Sequence, residues 1–311
     1  MVVTGGKTMP INELWRVMEI QSENMTEQKL VYKYSDWNKN SQDGISKRYF
    51  WFSKPTNFND PFDSNMEILK AFPRSSKVFD KKINDTETLF DYVRKKTDDF
   101  GILCFTTESQ KGSIGDRGYN NLHFWSHYAN CHKGISIGFD LESLKEYYSK
   151  KILCNASLSK INYLNESADL DKYEFTIRSN VTKRIEGIFG AYRDDKDIDA
   201  FFEQILLFKD KRIWGIENEQ RIILAGRALE RLRDNNPFLD VHFDIFDKNE
   251  NGYRLPYPEG NSIKEITFGV KFDKKEIDSA IEMISRNNKS VKFYRTELDF
   301  VEADIIRTEI K

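Results

Sequence analysis

Trp214-Gly215-Ile216-Glu217-Asn218-Glu219-Gln220-Arg221-Ile222-Ile223-Leu224 runs from charge into an unbroken apolar segment. A β-strand alternates with period two, so as a strand this stretch sets Glu217, Glu219 and Arg221 on one face. Ile222, Ile223, Leu224 and Ala225 have the continuous apolar character of a strand buried on both sides. Two carboxylates and a guanidinium at the mouth of a core strand are costly unless they bind or react with something. Working outward, residues 30–34, 49–53, 100–105, 134–139, 158–164, 263–270, 291–294 and 298–306 have strand patterns. Helical spacing covers 11–20, 86–96, 122–132, 140–150, 169–192, 197–208 and 273–287. A polar loop joins the strands at 30–34 and 49–53, and residues 55–63 form a structured turn. Strands and helices mix without a βαβ rhythm, which predicts an α+β fold with a mixed, largely antiparallel sheet. One domain spans 1–311, with a core at about 30–270, a helical insertion at about 165–210 and a loop insertion at about 228–262.

The 311 residues carry 48 basic and 50 acidic side chains, a net charge of −2, so no global basic field draws the protein to nucleic acid. With 23 Phe and 14 Tyr, the chain reads as a packed globule. No apolar run reaches the length of a membrane span, and residues 1–7 hold no hydrophobic signal core. Three cysteines, Cys104, Cys131 and Cys154, form no even framework, which fits reduced thiols in the cytoplasm.

Four further groups of residues carry chemistry. In Asn59-Asp60-Pro61-Phe62-Asp63 the Asn and Asp side chains close a turn, which is the better reading for Asp60; the sharper alternative is that Asn59 or Asp63 reaches a cleft to bind a ribose or phosphate. On residues 122–132, helical spacing puts His123, His127 and Cys131 on one stripe. A zinc pair is conceivable there, yet a polar cleft role for His127 or His132 is the better reading. Lys33, between Tyr32 and Tyr34, is either a solvent-facing strand lysine or a cation for pyrophosphate beside Ser53. Residues 110–118 hold three glycines without phosphate-loop spacing and read as a mobile loop. The bland alternative for Glu217 and Glu219 is a structural ion network with Arg221, Lys209 or Lys211, and for Trp214 simple packing. Classical dinucleotide, P-loop, hydrolase-elbow and zinc-ribbon motifs are missing from the sequence.

Val31-Tyr32-Lys33-Tyr34, residues 52–63, Trp125-Ser126-His127-Tyr128-Ala129, residues 132–140 and Trp214 through Arg221 occur in an order that resembles the bacterial family catalogued as domain of unknown function 2971. That resemblance covers roughly residues 30–270 and implies one ordered site. A looser similarity is to ADP-ribosyltransferases, in which an acidic-x-Glu pair begins one strand and a polar aromatic-Ser/Thr segment lies on another. Glu217-Asn218-Glu219 resembles the first, and Phe52-Ser53, or alternatively Phe105-Thr106-Thr107-Glu108-Ser109, the second. The first strand departs from the pattern, with Tyr32-Lys33-Tyr34 at its centre. This similarity implies a split sheet and NAD as substrate. Glu219 and Glu217 would then be catalytic, one stabilising an oxocarbenium-like transition state and the other activating the acceptor. Tyr32, Lys33, Ser53, Asn59, Asp63, His127, Trp214 and Arg221 would bind, with no metal required. The expected function is therefore NAD-dependent ADP-ribosyl transfer or NAD consumption, as a toxin or anti-phage effector acting on a macromolecular acceptor and open to a regulatory protein partner. The alternatives are a Mg²⁺-dependent nuclease built on Asp60, Asp63, Glu217, Glu219 and Lys211, and a non-enzymatic nucleotide-sensing or protein-interaction module.

Overall fold

The computed structural model describes residues 2–4, 7–9, 30–60, 63–64, 80, 82, 84–107, 118–148, 158–164, 206–210, 214–224, 251–258, 260, 262–302 and 304–310. Its elements are β1 (Val2–Thr4), β2 (Lys7–Met9), β3 (Leu30–Ser35), α1 (Lys39–Ser46), β4 (Tyr49–Ser53), α2 (Leu89–Asp98), β5 (Gly101–Thr106), α3 (Leu122–His127), β6 (Ile135–Asp140), α4 (Leu141–Glu146), β7 (Leu158–Lys160), β8 (Asn162–Leu164), β9 (Phe208–Asp210), β10 (Glu219–Leu224), β11 (Gly252–Pro256), β12 (Ile263–Phe268), α5 (Ile277–Ser285), β13 (Lys292–Asp299) and β14 (Asp304–Glu309). The expected helices at 11–20 and 169–192, and the glycine loop over 110–117, lie outside the described residues.

Among the described residues, ten strands form one mixed sheet in the order β11-β4-β5-β3-β6-β12-β13-β14, with β10 on β5 and β7 on β10. Pairing in it is antiparallel except between β12 and β13, so the fold is α+β as the patterns imply. Alternation along β3 and β4 divides the interior. Val31, Phe50 and Phe52 enter one core with Phe105, Phe139, Ile266 and Phe268, closed by Ile45 of α1, Leu144 of α4 and Ile284 of α5. Tyr32 and Tyr34 point the other way, to Phe124, Trp125 and Ala129 around α3. Each such side chain contributes about 1.5–3 kcal/mol on burial. No helix among the described residues is long and apolar enough to cross a membrane.

Four local expectations need correction. The polar loop between β3 and β4 contains α1, started by a capping box. Asn38 Oδ1 accepts from the Asn40 and Ser41 amides, and Ser41 Oγ accepts from the Asn38 amide at 3.0 Å. Only Ile45 of this helix is buried, so no apolar stripe advertises it. The presumed loop insertion ends in a true strand, because β11 pairs with β4 from Gly252↔Ser53 to Pro256↔Tyr49 and buries Tyr253 and Leu255. Residues 158–164 are two short strands, and residues 208–210 are strand β9 rather than the end of a helix. Finally, the aromatic helix stops at His127. Asn130, Cys131 and His132 follow with φ of 48°, 53° and 70°, each costing roughly 1–2 kcal/mol in that conformation. The turn is held by Gly134 N–H to Ala129 O (2.9 Å), Lys271 N–H to His132 O (3.0 Å) and Asn130 Nδ2 to Asp36 Oδ1 (3.1 Å). It also returns the chain so closely past β3 that a Cβ on Gly134 would lie 2.1 Å from Ser35 O.

Candidate functional site

Strand β5 has three neighbours. One edge is fully paired with β10, from Thr106↔Glu219 to Gly101↔Leu224. The other edge meets β3 only at Tyr32↔Thr106 and β4 only at Ser53↔Ile102. Beside Leu103, Cys104 and Phe105 the sheet therefore opens, and a cavity of about 240 Å³ sits there. Tyr32, Lys33, Ser53, Asn59, Asp63, Glu217 and Glu219 all line it. Of the remaining expected binding residues, Arg221 lies fully buried behind the carboxylates, and Trp214 is half-buried beneath Lys209. His127 is exposed and outside the cavity.

Glu217 does not reach the site by strand alternation, which corrects the first reading of this stretch. Residues Gly215–Glu217 form a 3₁₀ turn, Asn218 is left-handed (φ 45°, ψ 49°), and the strand starts only at Glu219. The threonines ending β5 clamp this shoulder. Thr106 Oγ1 donates to Glu217 O (2.6 Å), Thr107 N–H donates to Asn218 O (3.3 Å), and Asn218 Nδ2 donates to Thr107 O (2.9 Å). A left-handed residue between the glutamates thus brings both carboxylates onto one cation.

That cation is Lys209. Its Nζ lies 2.6 Å from Glu217 Oε2, 2.7 Å from Glu219 Oε2 and 3.2 Å from Asp63 Oδ2, with the Trp214 ring 4.9 Å away. Arg221 forms the second tie. Its Nε donates to Glu219 Oε1 (2.7 Å), Nη2 to Asp63 Oδ2 (2.5 Å), and Nη1 to Ser64 Oγ (3.1 Å) and Leu206 O (2.8 Å). Three carboxylates face two cations, which leaves one negative charge in excess when all are ionised.

The two glutamates are driven in opposite directions. Burial opposes ionisation of Glu219, but Arg221 and then Lys209 outweigh it and hold its pKa at about 2. Burial also acts on Glu217, and there it prevails: although Lys209 pulls downward, the Glu219 charge adds to burial and the pKa is raised. Tyr128 OH donates to Glu217 Oε1 at 2.9 Å, and His123 Nε2 lies 3.6 Å from that same oxygen. Burial, then His127 and Lys209, keep the His123 pKa low, so the imidazole is neutral near pH 7. Cys104, on the cavity wall, has its thiol pKa pushed well up by burial and by Glu219, which makes it a poor nucleophile.

Lys33 is half-buried on the cavity wall rather than solvent-facing, and burial lowers its pKa. Sequence reading offered Lys209 only as a structural partner and missed Tyr128 and His123 as neighbours of Glu217. No spacing rule links Tyr128 or His123 to Glu217, or Lys209 to residue 63. The zinc stripe dissolves, because Cys131 has left the helix and is exposed, although the His123 and His127 rings do meet at 4.3 Å. Among the described residues no group of three His, Cys, Asp or Glu is arranged to hold a metal. Lys211 lies outside them.

The profile of the family described as "Protein of unknown function (DUF2971)" matches residues 124–222, to which this chain is therefore similar over that span. The match starts in α3 and ends within β10, taking in Tyr128, Lys209, Glu217, Glu219 and Arg221. No curated protein and no solved structure matches the chain.

Proposed function

We propose that this cavity cleaves the N-glycosidic bond of NAD, with Glu217 as the working carboxylate and Glu219 as its fixed neighbour. The observation that carries the reading is the pair of glutamates at one cavity whose surroundings drive their pKa values apart, the usual mark of divided acid–base roles. As nicotinamide departs with the bonding electron pair, C1′ of its ribose becomes positive. The carboxylates at the cavity floor complement that charge where it develops. Glu217, made more basic by burial, takes the proton of the attacking hydroxyl while the new C1′–O bond forms. With water the products are ADP-ribose and nicotinamide; with an acceptor hydroxyl the ADP-ribosyl group is transferred. Tyr128 and Lys209 fix the orientation of Glu217. Glu219 is unsuited to this step, because Arg221 and Lys209 hold its pKa at about 2 and leave it a weak base.

A toxin or anti-phage effector is the setting in which such a cytoplasmic activity is useful, and a partner would then restrain it. The nuclease reading is weaker, since the Lys209 ammonium takes the seat among three carboxylates that Mg²⁺ would need. Binding without turnover is the second reading, because both Glu217 oxygens already accept hydrogen bonds.

The test is chromatographic detection of nicotinamide from purified protein, NAD and cell lysate. Glu217→Gln should lower release by about a hundred- to ten-thousand-fold without lowering the temperature of thermal unfolding. Wild-type protein that consumes no NAD with any lysate, or a Glu217→Gln variant as active as wild type, removes the proposal.

A further inference from the structure

The cavity at Glu217 is about 240 Å³, below the roughly 300–1,000 Å³ of pockets that enclose whole drug-sized ligands. It has room for a ring and a sugar. A second cavity of about 500 Å³ adjoins it, and Lys33 and Trp51 line both. The electrostatics of this neighbour are opposite. Lys33 and Arg254 line it, and no carboxylate does so among the described residues. No direct hydrogen bond or ion pair joins Lys33 to a described residue; its half-buried ammonium stands between the cavities, and burial outweighs the support that the more distant Glu219 charge gives it. A partly desolvated cation in that position attracts an anion strongly.

The aromatic side of this second cavity is also built in. Tyr49 and Trp51 alternate outward from β4, and the Arg254 guanidinium lies over both rings, 5.3 Å and 6.0 Å from their centroids. Trp51 is seated by Gly252 across the β4–β11 pair, where a Cβ would come within 2.7 Å of the indole. Asn40 and Asn251, both exposed, add neutral polar groups at the rim. Two cations with flat aromatic walls form the chemistry that recognises a phosphorylated aromatic ligand: phosphate oxygens on Lys33 and Arg254, a base against the rings.

We propose that the second cavity binds the diphosphate of a nucleotide, with Lys33 and Arg254 as its anion-binding residues and Trp51 as a wall for the base. Where the NAD reading holds, on which this part of the inference rests, the ligand is the distal half of the substrate reaching across Lys33. A free nucleoside diphosphate acting as an effector would use the same groups.

Titration calorimetry with ADP, with pyrophosphate and with adenosine tests the site directly. ADP should bind wild-type protein, pyrophosphate more weakly with the same salt sensitivity, and adenosine weakest. Arg254→Gln should weaken ADP at least tenfold. Asn40→Asp, which places a carboxylate at the rim from an exposed position near the start of a helix, should do likewise without lowering thermal stability. Glu217→Gln should bind ADP as wild type does. If ADP competes with NAD in the nicotinamide assay, the ligand is the substrate's own half; if ADP alters turnover without competing, it is an effector. Failure of ADP to bind, ADP binding as tight as wild type in both variants, or adenosine binding better than pyrophosphate overturns the proposal. NAD turnover without ADP binding would leave the catalytic reading standing alone, and ADP binding without turnover would leave only the anion site.

Discussion

At the level of single residues, Glu217 and Glu219 should give stability profiles of opposite sign. The Glu219 pKa falls from 4.5 to about 2 on folding, so its ionic ties stabilise the protein above pH 4.5 and are lost as pH falls towards 2. That displacement corresponds to on the order of 3 kcal/mol at neutral pH. Urea unfolding from pH 7 down to 3 should therefore show a gap between wild type and Glu219→Gln that closes below pH 4.5. The Glu217 pKa is raised instead, so the folded protein holds that proton more tightly than the unfolded chain. Wild type should lose stability relative to Glu217→Gln as pH rises through the raised pKa. Parallel profiles for the two variants would contradict the division of roles. Arg221, fully buried between Glu219 and Asp63, belongs to the scaffold. Arg221→Met should cost about 3–5 kcal/mol in urea unfolding, because it strands buried carboxylates.

Among the elements, the left-handed shoulder at Asn218 positions the glutamates. Asn218→Val should cost about 1–2 kcal/mol or more from the backbone alone and displace Glu217, with a matching loss of NAD turnover. Asn218→Gly suits the same dihedral angles and should retain most turnover, losing only the bonds to Thr107. Equal turnover in the two variants would separate the shoulder from the site. Strands such as β4, β5, β6 and β12 were legible because alternation or an apolar run is local information. Helix α1 was not: its one buried residue, Ile45, gives no stripe, and only the Asn38–Ser41 box declares it. The short run of α3 was hidden for the converse reason. Residues 122–132 keep helical spacing, while tertiary contacts from Gly134 and Lys271 impose the left-handed turn.

For the whole molecule, the last strand is tied to the site wall. Arg307 of β14 lies 3.7 Å from the Tyr119 ring and 4.2 Å from Tyr294, and it pairs with Glu265, which accepts from Tyr32 OH at 3.0 Å. Arg307→Leu should destabilise by about 3 kcal/mol or more, since Glu265 would be left buried and uncompensated. It should also weaken turnover through Tyr32, and a variant with wild-type unfolding and turnover would dismiss the link. The sequence could present Glu217, Glu219 and Arg221 as neighbours because they are close along the chain. It held no information that residues 63 and 209 would join them, since the fold alone brings those positions together. The lysine at the centre of three carboxylates has a last consequence, for inheritance. Positions 63, 209, 217, 219 and 221 form one coupled set of charges, so a relative with a neutral residue at 209 should also have lost a carboxylate, and drift at these five positions should be seen only as paired changes.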